Sequence, residues 1–93
     1  MPRVVATIKV KADKVEEARS FLKSLAAETL QNEPGTQAYV PHQSLDDPTV
    51  FVFYERYESE EAFKPHGKNL ASKGAQFAAL LDGRPEIVKL QEV

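Results

Sequence analysis

The sequence predicts an α+β fold of the ferredoxin-like kind, β-α-β-β-α-β, with an antiparallel four-stranded sheet. Three observations predict it. Segments with a period-two apolar pattern alternate with segments of helical period in that order. Two of the breaks carry strong stop signals, Glu33-Pro34-Gly35 and Asp82-Gly83-Arg84-Pro85. Val50 to Tyr57 is apolar or aromatic on both faces, the pattern of a strand covered on both sides.

The elements follow in order. Val4, Ala6, Ile8 and Val10 point one way and Val5, Thr7 and Lys9 the other, which predicts a first strand over Val4 to Val10. Asp13 and Glu16 have capping-box spacing, so a helix is expected from about Lys14. Its apolar stripe is Val15, Ala18, Leu22, Leu25 and Ala26, widened by Phe21. Pro34 ends it, because proline cannot continue the helical hydrogen bonding. The second strand, Thr36 to Ser44, contains Pro41, which lacks an N–H and predicts an edge, a bulge or a local break. Asp46-Asp47-Pro48 is a turn signal. Ser59 is placed to cap a short helix whose first turn carries Glu60 and Glu61, and Gly67 is expected to interrupt it. Leu70, Phe77, Leu80 and Leu81 fall on one side of a further helix, and Glu86 to Val93 reads as a last strand. The helices can cover only one sheet face. The other face is expected to meet a second copy of itself, giving a homodimer.

Composition narrows the classes. A chain of 93 residues makes one domain, residues 1–93. With 42% apolar and 28% charged residues it has an ordinary globular composition. Fourteen acidic against 12 basic side chains, a net charge of −2, argue against nucleic acid as a partner. No apolar run approaches the roughly 20 residues of a membrane span, and the opening Met1-Pro2-Arg3-Val4-Val5 lacks a signal-peptide core. The expected location is the cytoplasm. Without cysteine there is no thiolate nucleophile and no Cys-based metal site.

Candidate chemistry concentrates between Glu33 and His66, which holds both histidines and all three tyrosines. His66 follows the capped helix start. An imidazole titrates near neutrality and can move protons to or from a phenol or enol; the plain alternative is a histidine near a helix end, favoured there by the dipole. His42 follows Pro41 on the second strand and either orients a substrate hydroxyl or bonds to the next strand. Two histidines without a local ligand cluster give no metal site. Glu55, an acid in an apolar strand, is either a proton acceptor or a residue with a fixed partner. Tyr39, Phe51, Phe53 and Tyr57 are candidates for binding an aromatic substrate, or are simply core. Strand alternation separates Phe51, Phe53, Glu55 and Tyr57 from Val50, Val52, Tyr54 and Arg56. The first set is assigned to the pocket.

The order of elements, together with Glu33-Pro34-Gly35, Tyr39, His42-Gln43-Ser44, Asp46-Asp47-Pro48, Phe51, Glu55, Tyr57, Ser59, Ala62 and His66, resembles the antibiotic biosynthesis monooxygenase (ABM) domain family. The resemblance implies a dimeric α+β barrel with a pocket between helices and sheet in each protomer. Some members oxygenate polyphenols or quinols with molecular oxygen and no cofactor; others isomerise small sugar-like molecules, degrade heme or have no known activity. Many members carry tryptophan where this chain has Tyr57. Heme-degrading relatives use asparagine, tryptophan and histidine where this chain has Ile8, His66 and the region of Gln76, so heme chemistry is not expected. The resemblance implies a cofactor-independent monooxygenase of a small phenolic or quinol-like compound. Catalysis then falls to His66, His42 and Glu55, and binding to Tyr39, Phe51, Phe53 and Tyr57. The alternative is an isomerase or a non-catalytic small-molecule-binding dimer of the same fold.

Overall fold

The computed structural model describes residues 2–93. Strand β1 (Arg3–Lys9) leads through a short 3-10 turn (Ala12–Lys14) into helix α1 (Val15–Asn32). A hairpin follows, β2 (Thr36–Gln43) and β3 (Val50–Tyr57). Helices α2 (Glu60–Ala71) and α3 (Gly74–Leu80) return the chain to β4 (Glu86–Leu90). The sheet order is β2-β3-β1-β4, with every neighbour antiparallel. This is the ferredoxin-like α+β arrangement.

Side chains sort onto two faces by strand alternation. Val4, Ala6 and Ile8 of β1 lie opposite Glu55, Phe53 and Phe51 of β3, and Tyr39 of β2 lies opposite Glu55 on its other side. Of these, Ala6, Ile8, Tyr39, Phe51 and Phe53 join the core with the buried face of α1, formed by Ala18, Leu22, Leu25, Ala26 and Thr29. Pro41 sits in β2, an edge strand, where the missing N–H breaks no ladder on the outer side. The β2–β3 register shifts between Thr36 and Ala38, a bulge that leaves Gln37 exposed.

Three local expectations are corrected. Neither the 3-10 turn nor α1 has a side-chain cap. Asp13 lies inside the 3-10 turn rather than before the helix, so the Asp13–Glu16 spacing does not make a capping box. Gly67 does not interrupt α2, which runs on to Ala71. A Cβ at Gly67 would meet nothing within 4 Å, so this glycine sits on an open helix face. The break falls instead at Ser72 and Lys73, and His66 is therefore mid-helix rather than at a helix end. Leu70 belongs to α2, and Leu81 has left α3 to form an isolated bridge with Val10.

The expected helix start at Ser59 is present: its Oγ accepts from the Ala62 N–H at 3.2 Å. Gly83 takes a φ of 107° in the turn before β4, a conformation that favours glycine. The last strand stops at Leu90, and all five of its residues are exposed. None of the helices among the described residues is long and apolar enough to cross a membrane.

Candidate functional site

Pro34 begins the construction of the site. The residue before a proline is pushed out of helical geometry, and Glu33 adopts φ −120°, ψ 87° at the end of α1. There its carboxylate turns inward and is only 4% exposed. It accepts three hydrogen bonds. Thr36 Oγ1 donates to Oε1 at 3.0 Å, Asn69 Nδ2 donates to Oε2 at 2.9 Å, and the Nδ1–H of His66 donates at 3.2 Å. A carboxylate only accepts, so the proton of the His66 ring is on Nδ1 and the lone pair is on Nε2.

Nε2 is buried and has no hydrogen-bond partner. Its nearest acid is Glu55, whose Oε1 stands 3.7 Å away, beyond hydrogen-bonding reach. That same oxygen accepts from the Tyr57 hydroxyl at 2.5 Å. The order Glu33, His66, Glu55, Tyr57 thus forms one buried polar row. Aromatic rings enclose the imidazole: Tyr39 stands edge-on with its centroid at 4.8 Å, and Tyr57 lies at 5.6 Å.

Burial sets the charges. Desolvation pushes His66 below the usual imidazole range, with the Glu33 charge and hydrogen bond opposing it. Desolvation raises Glu55 above the usual carboxylate range, with the Tyr57 hydrogen bond opposing and the Glu33 charge adding to the rise. Tyr39 and Tyr57 are both pushed well above the usual phenol range, first by burial and then by neighbouring acids. At neutral pH the ring of His66 is therefore a neutral base.

The row forms the polar end of a cavity of about 330 Å³ between the sheet and helices α2 and α3. Val4, Ala6, Ile8, Phe53, Phe63, Leu70, Phe77, Pro85 and Ile87 make its apolar walls, and Tyr39, Glu55 and His66 its polar end. No lysine or arginine lines it. Its volume lies at the small end of the roughly 300–1,000 Å³ seen for ligand pockets. Among the described residues no group of three or more His, Asp or Glu is arranged to hold a metal ion. Glu33 and Glu55 face opposite nitrogens of one ring and do not converge.

The structure brings together His66, Glu55, Tyr39 and Phe53 at the cavity, with Tyr57 behind Glu55. Two of the sequence-assigned residues lie elsewhere. Phe51 is buried in the core against α1 and lines a separate hollow with Leu22 and Pro41. His42 is exposed, pairs in register with Val52 on the opposite sheet face, and stands 3.0 Å through Nδ1 from its own strand's Val40 carbonyl. Strand alternation forbids it from reaching the cavity while Tyr39 does, because the two are an odd number of residues apart. Glu55 finds its hydrogen-bond partner in Tyr57.

Glu33 and the two residues that donate to it, Thr36 and Asn69, were not among the sequence-assigned site residues. The signal for Glu33 was present. The buried stripe of α1 runs Leu22, Ala26, Thr29, and the next step of the same period is Glu33. An acid on the buried stripe of a helix needs a partner, and here the partner is His66.

The chain thus combines a ferredoxin-like α+β fold with a buried histidine at the polar end of an apolar cavity. The family profile for antibiotic biosynthesis monooxygenase matches residues 1–80, and the chain belongs to that family. Among solved structures, a candidate antibiotic biosynthesis monooxygenase from Caulobacter crescentus CB15 is 34% identical, with a TM-score of 0.90 over 99% of this chain and 89% of that one. A conserved protein from Methanosarcina mazei Go1 is 30% identical, with a TM-score of 0.88 over 99% and 92%. A further structure, from Nitrosomonas europaea, shares the fold at 24% identity and a TM-score of 0.90, over 100% and 99% of the two chains. No curated protein matches.

Proposed function

We propose that this protein is a cofactor-independent monooxygenase of a small, neutral phenol or quinol. The observation that carries the reading is the buried, unpartnered Nε2 of His66 at the polar end of an apolar cavity. Such a lone pair accepts a phenolic proton. The O–H bond breaks, an N–H bond forms, and the electron-rich phenolate gives one electron to oxygen. The resulting radical pair joins as a peroxide anion, which takes its proton back from Nε2. Loss of the ring C–H proton with O–O cleavage then leaves one oxygen on the ring and releases the other as water. Tyr39 supplies a hydroxyl donor beside the developing oxyanion, and the apolar walls keep water away from it. A lining without cationic side chains favours a neutral substrate over a phosphorylated or carboxylated one.

A second reading rests on the 3.7 Å between Nε2 and Glu55. Two groups that close, one basic and one held toward its protonated form, suit the removal and return of a proton in an isomerisation. Oxygen separates the two. The metal-stripped protein, given a panel of quinols and anthrone-like phenols, is expected to consume oxygen above the autoxidation blank. No uptake, with substrate deuterium lost to water, would move the assignment to the isomerase. Binding without either reaction would leave a binding protein.

The same reading places the protein in the cytoplasm as a homodimer. The sheet face away from the helices is not covered within one chain: Val40, Val88 and Leu90 are exposed, and Val5, Val52 and Tyr54 only half-buried. On that face Arg56 keeps a buried Nε with no hydrogen-bond partner, a group that another chain's carbonyl or carboxylate would satisfy. Sedimentation equilibrium is expected to give twice the chain mass at micromolar concentration. A monomer there would reject the pairing.

A further inference from the structure

The cavity is not the only space that reaches the polar row. A second, polar groove of about 220 Å³ lies on the other side, between α1 and the α2–α3 junction. Glu28, Thr29, Asn32, Glu33, Asn69 and Lys73 line it. Glu33 borders the groove and His66 borders the cavity, while Leu70 borders both. The hydrogen bond from His66 Nδ1–H to Glu33 therefore crosses the wall between an apolar space and an open polar one. Asn69, exposed on α2, donates to Glu33 from the groove side at 2.9 Å.

We propose that Glu33 is the outer half of a proton relay, through which His66 exchanges its proton with water in this groove rather than through the cavity. The proposal rests on His66 being the base. A substrate that fills the cavity leaves no water at Nε2. When Nε2 takes the phenolic proton, the Nδ1–H bond can break and an O–H bond form on Glu33, restoring a neutral ring. Glu33 then passes the proton to water in the groove. The reverse sequence returns it when the peroxide needs it, so no proton is gained or lost over the cycle. Glu33 acts through His66 and is a positioning and relay residue.

The test uses the intact protein without substrate, labelled with ¹⁵N-histidine. Water-to-N–H saturation transfer reads exchange of the His66 Nδ1 proton, and the ¹⁵N shifts read the tautomer. Glu33→Gln keeps an acceptor for Nδ1–H but cannot take the proton, and Asn69 can turn its amide to match. Exchange is expected to slow at least tenfold in Glu33→Gln at unchanged tautomer, and the resonance to sharpen or emerge where the wild type is broadened. Asn69→Leu, which sets an isobutyl group between Glu33 and the groove, is expected to slow it in the same sense. A residue that only props the ring would change the tautomer or Tm and leave the exchange rate alone. Wild-type exchange in both variants would overturn the relay; if Glu33→Gln does not fold, Asn69→Leu decides by itself. Since neither oxygen nor substrate is involved, an absence of turnover leaves this result standing, and failure of the relay leaves the oxygenase reading intact.

Discussion

His66→Ala is expected to lower kcat for quinol oxygenation by roughly 10²–10⁴-fold, the usual contribution of a positioned general base. The reason is specific to this ring. Its Nε2 is buried at the polar end of the cavity without a hydrogen-bond partner, whereas Glu55 already accepts from Tyr57, and burial pushes the tyrosines far from ionisation. The fold is expected to survive, because Glu33 keeps its hydrogen bonds from Thr36 and Asn69. Oxygen uptake, with circular dichroism as the structural control, checks both halves. The pH profile gives an independent reading. A base must be unprotonated, and desolvation lowers the His66 pKa below its ordinary value of 6.5, opposed by Glu33. The acid limb of kcat/KM should therefore lie below pH 6.5 and be missing from the residual activity of His66→Ala. A variant that turns over at the wild-type rate would remove His66 from the chemistry.

How much of this was legible in the sequence follows from the range of each signal. Strand alternation is local, and it placed Phe53, Glu55 and Tyr57 on the helix-facing side of β3. Applied with equal rigour to β2, it separates His42 from Tyr39. A role for His42 in orienting a substrate hydroxyl rests on its chemistry, and chemistry is blind to the face of a sheet. Phe51 shares the face of Glu55 but stands four residues from it along β3, where it packs in the core with α1. The partnership of Glu33 with His66 spans 33 positions. No periodicity reaches that far, and only the acid on the buried helix stripe hinted at it. The cavity itself depends on how α2 and α3 stand off the sheet, a tertiary distance that no local pattern carries. Gly67 misled for a related reason. Glycine weakens a helix by about 1 kcal/mol relative to alanine, a penalty that the packing of His66 and Leu70 on either side outweighs.

Gly35→Ala is expected to be the most disruptive conservative substitution in the chain. A Cβ built at Gly35 would stand 2.5 Å from the Cβ of Ala62 and 3.5 Å from its Cα. The backbone just before β2 and the first turn of α2 therefore touch with only the Ala62 methyl between them, and the Glu58 N–H donates to the Gly35 carbonyl at 2.8 Å. Neither can yield alone, since Ser59 caps α2 just there. Overpacking of this kind costs about 1–3 kcal/mol, a fall in Tm of roughly 4–8 °C per kcal/mol for a domain of this size. Relief by pushing α2 outward would carry His66 with it, lengthening its 3.2 Å bond to Glu33. Activity should then drop by more than the lost stability explains. Ala62→Gly tests the contact from the other side. Alone it should cost about 0.5–1 kcal/mol through helix propensity. Combined with Gly35→Ala it should restore both Tm and kcat toward the value of Ala62→Gly, because the methyl group has only moved from one backbone to the other. Strictly additive losses in thermal melts of the four proteins would show that this contact does not set the position of α2. Recovery would show that a pair of small residues, neither of which lines the cavity, holds the base at its working distance.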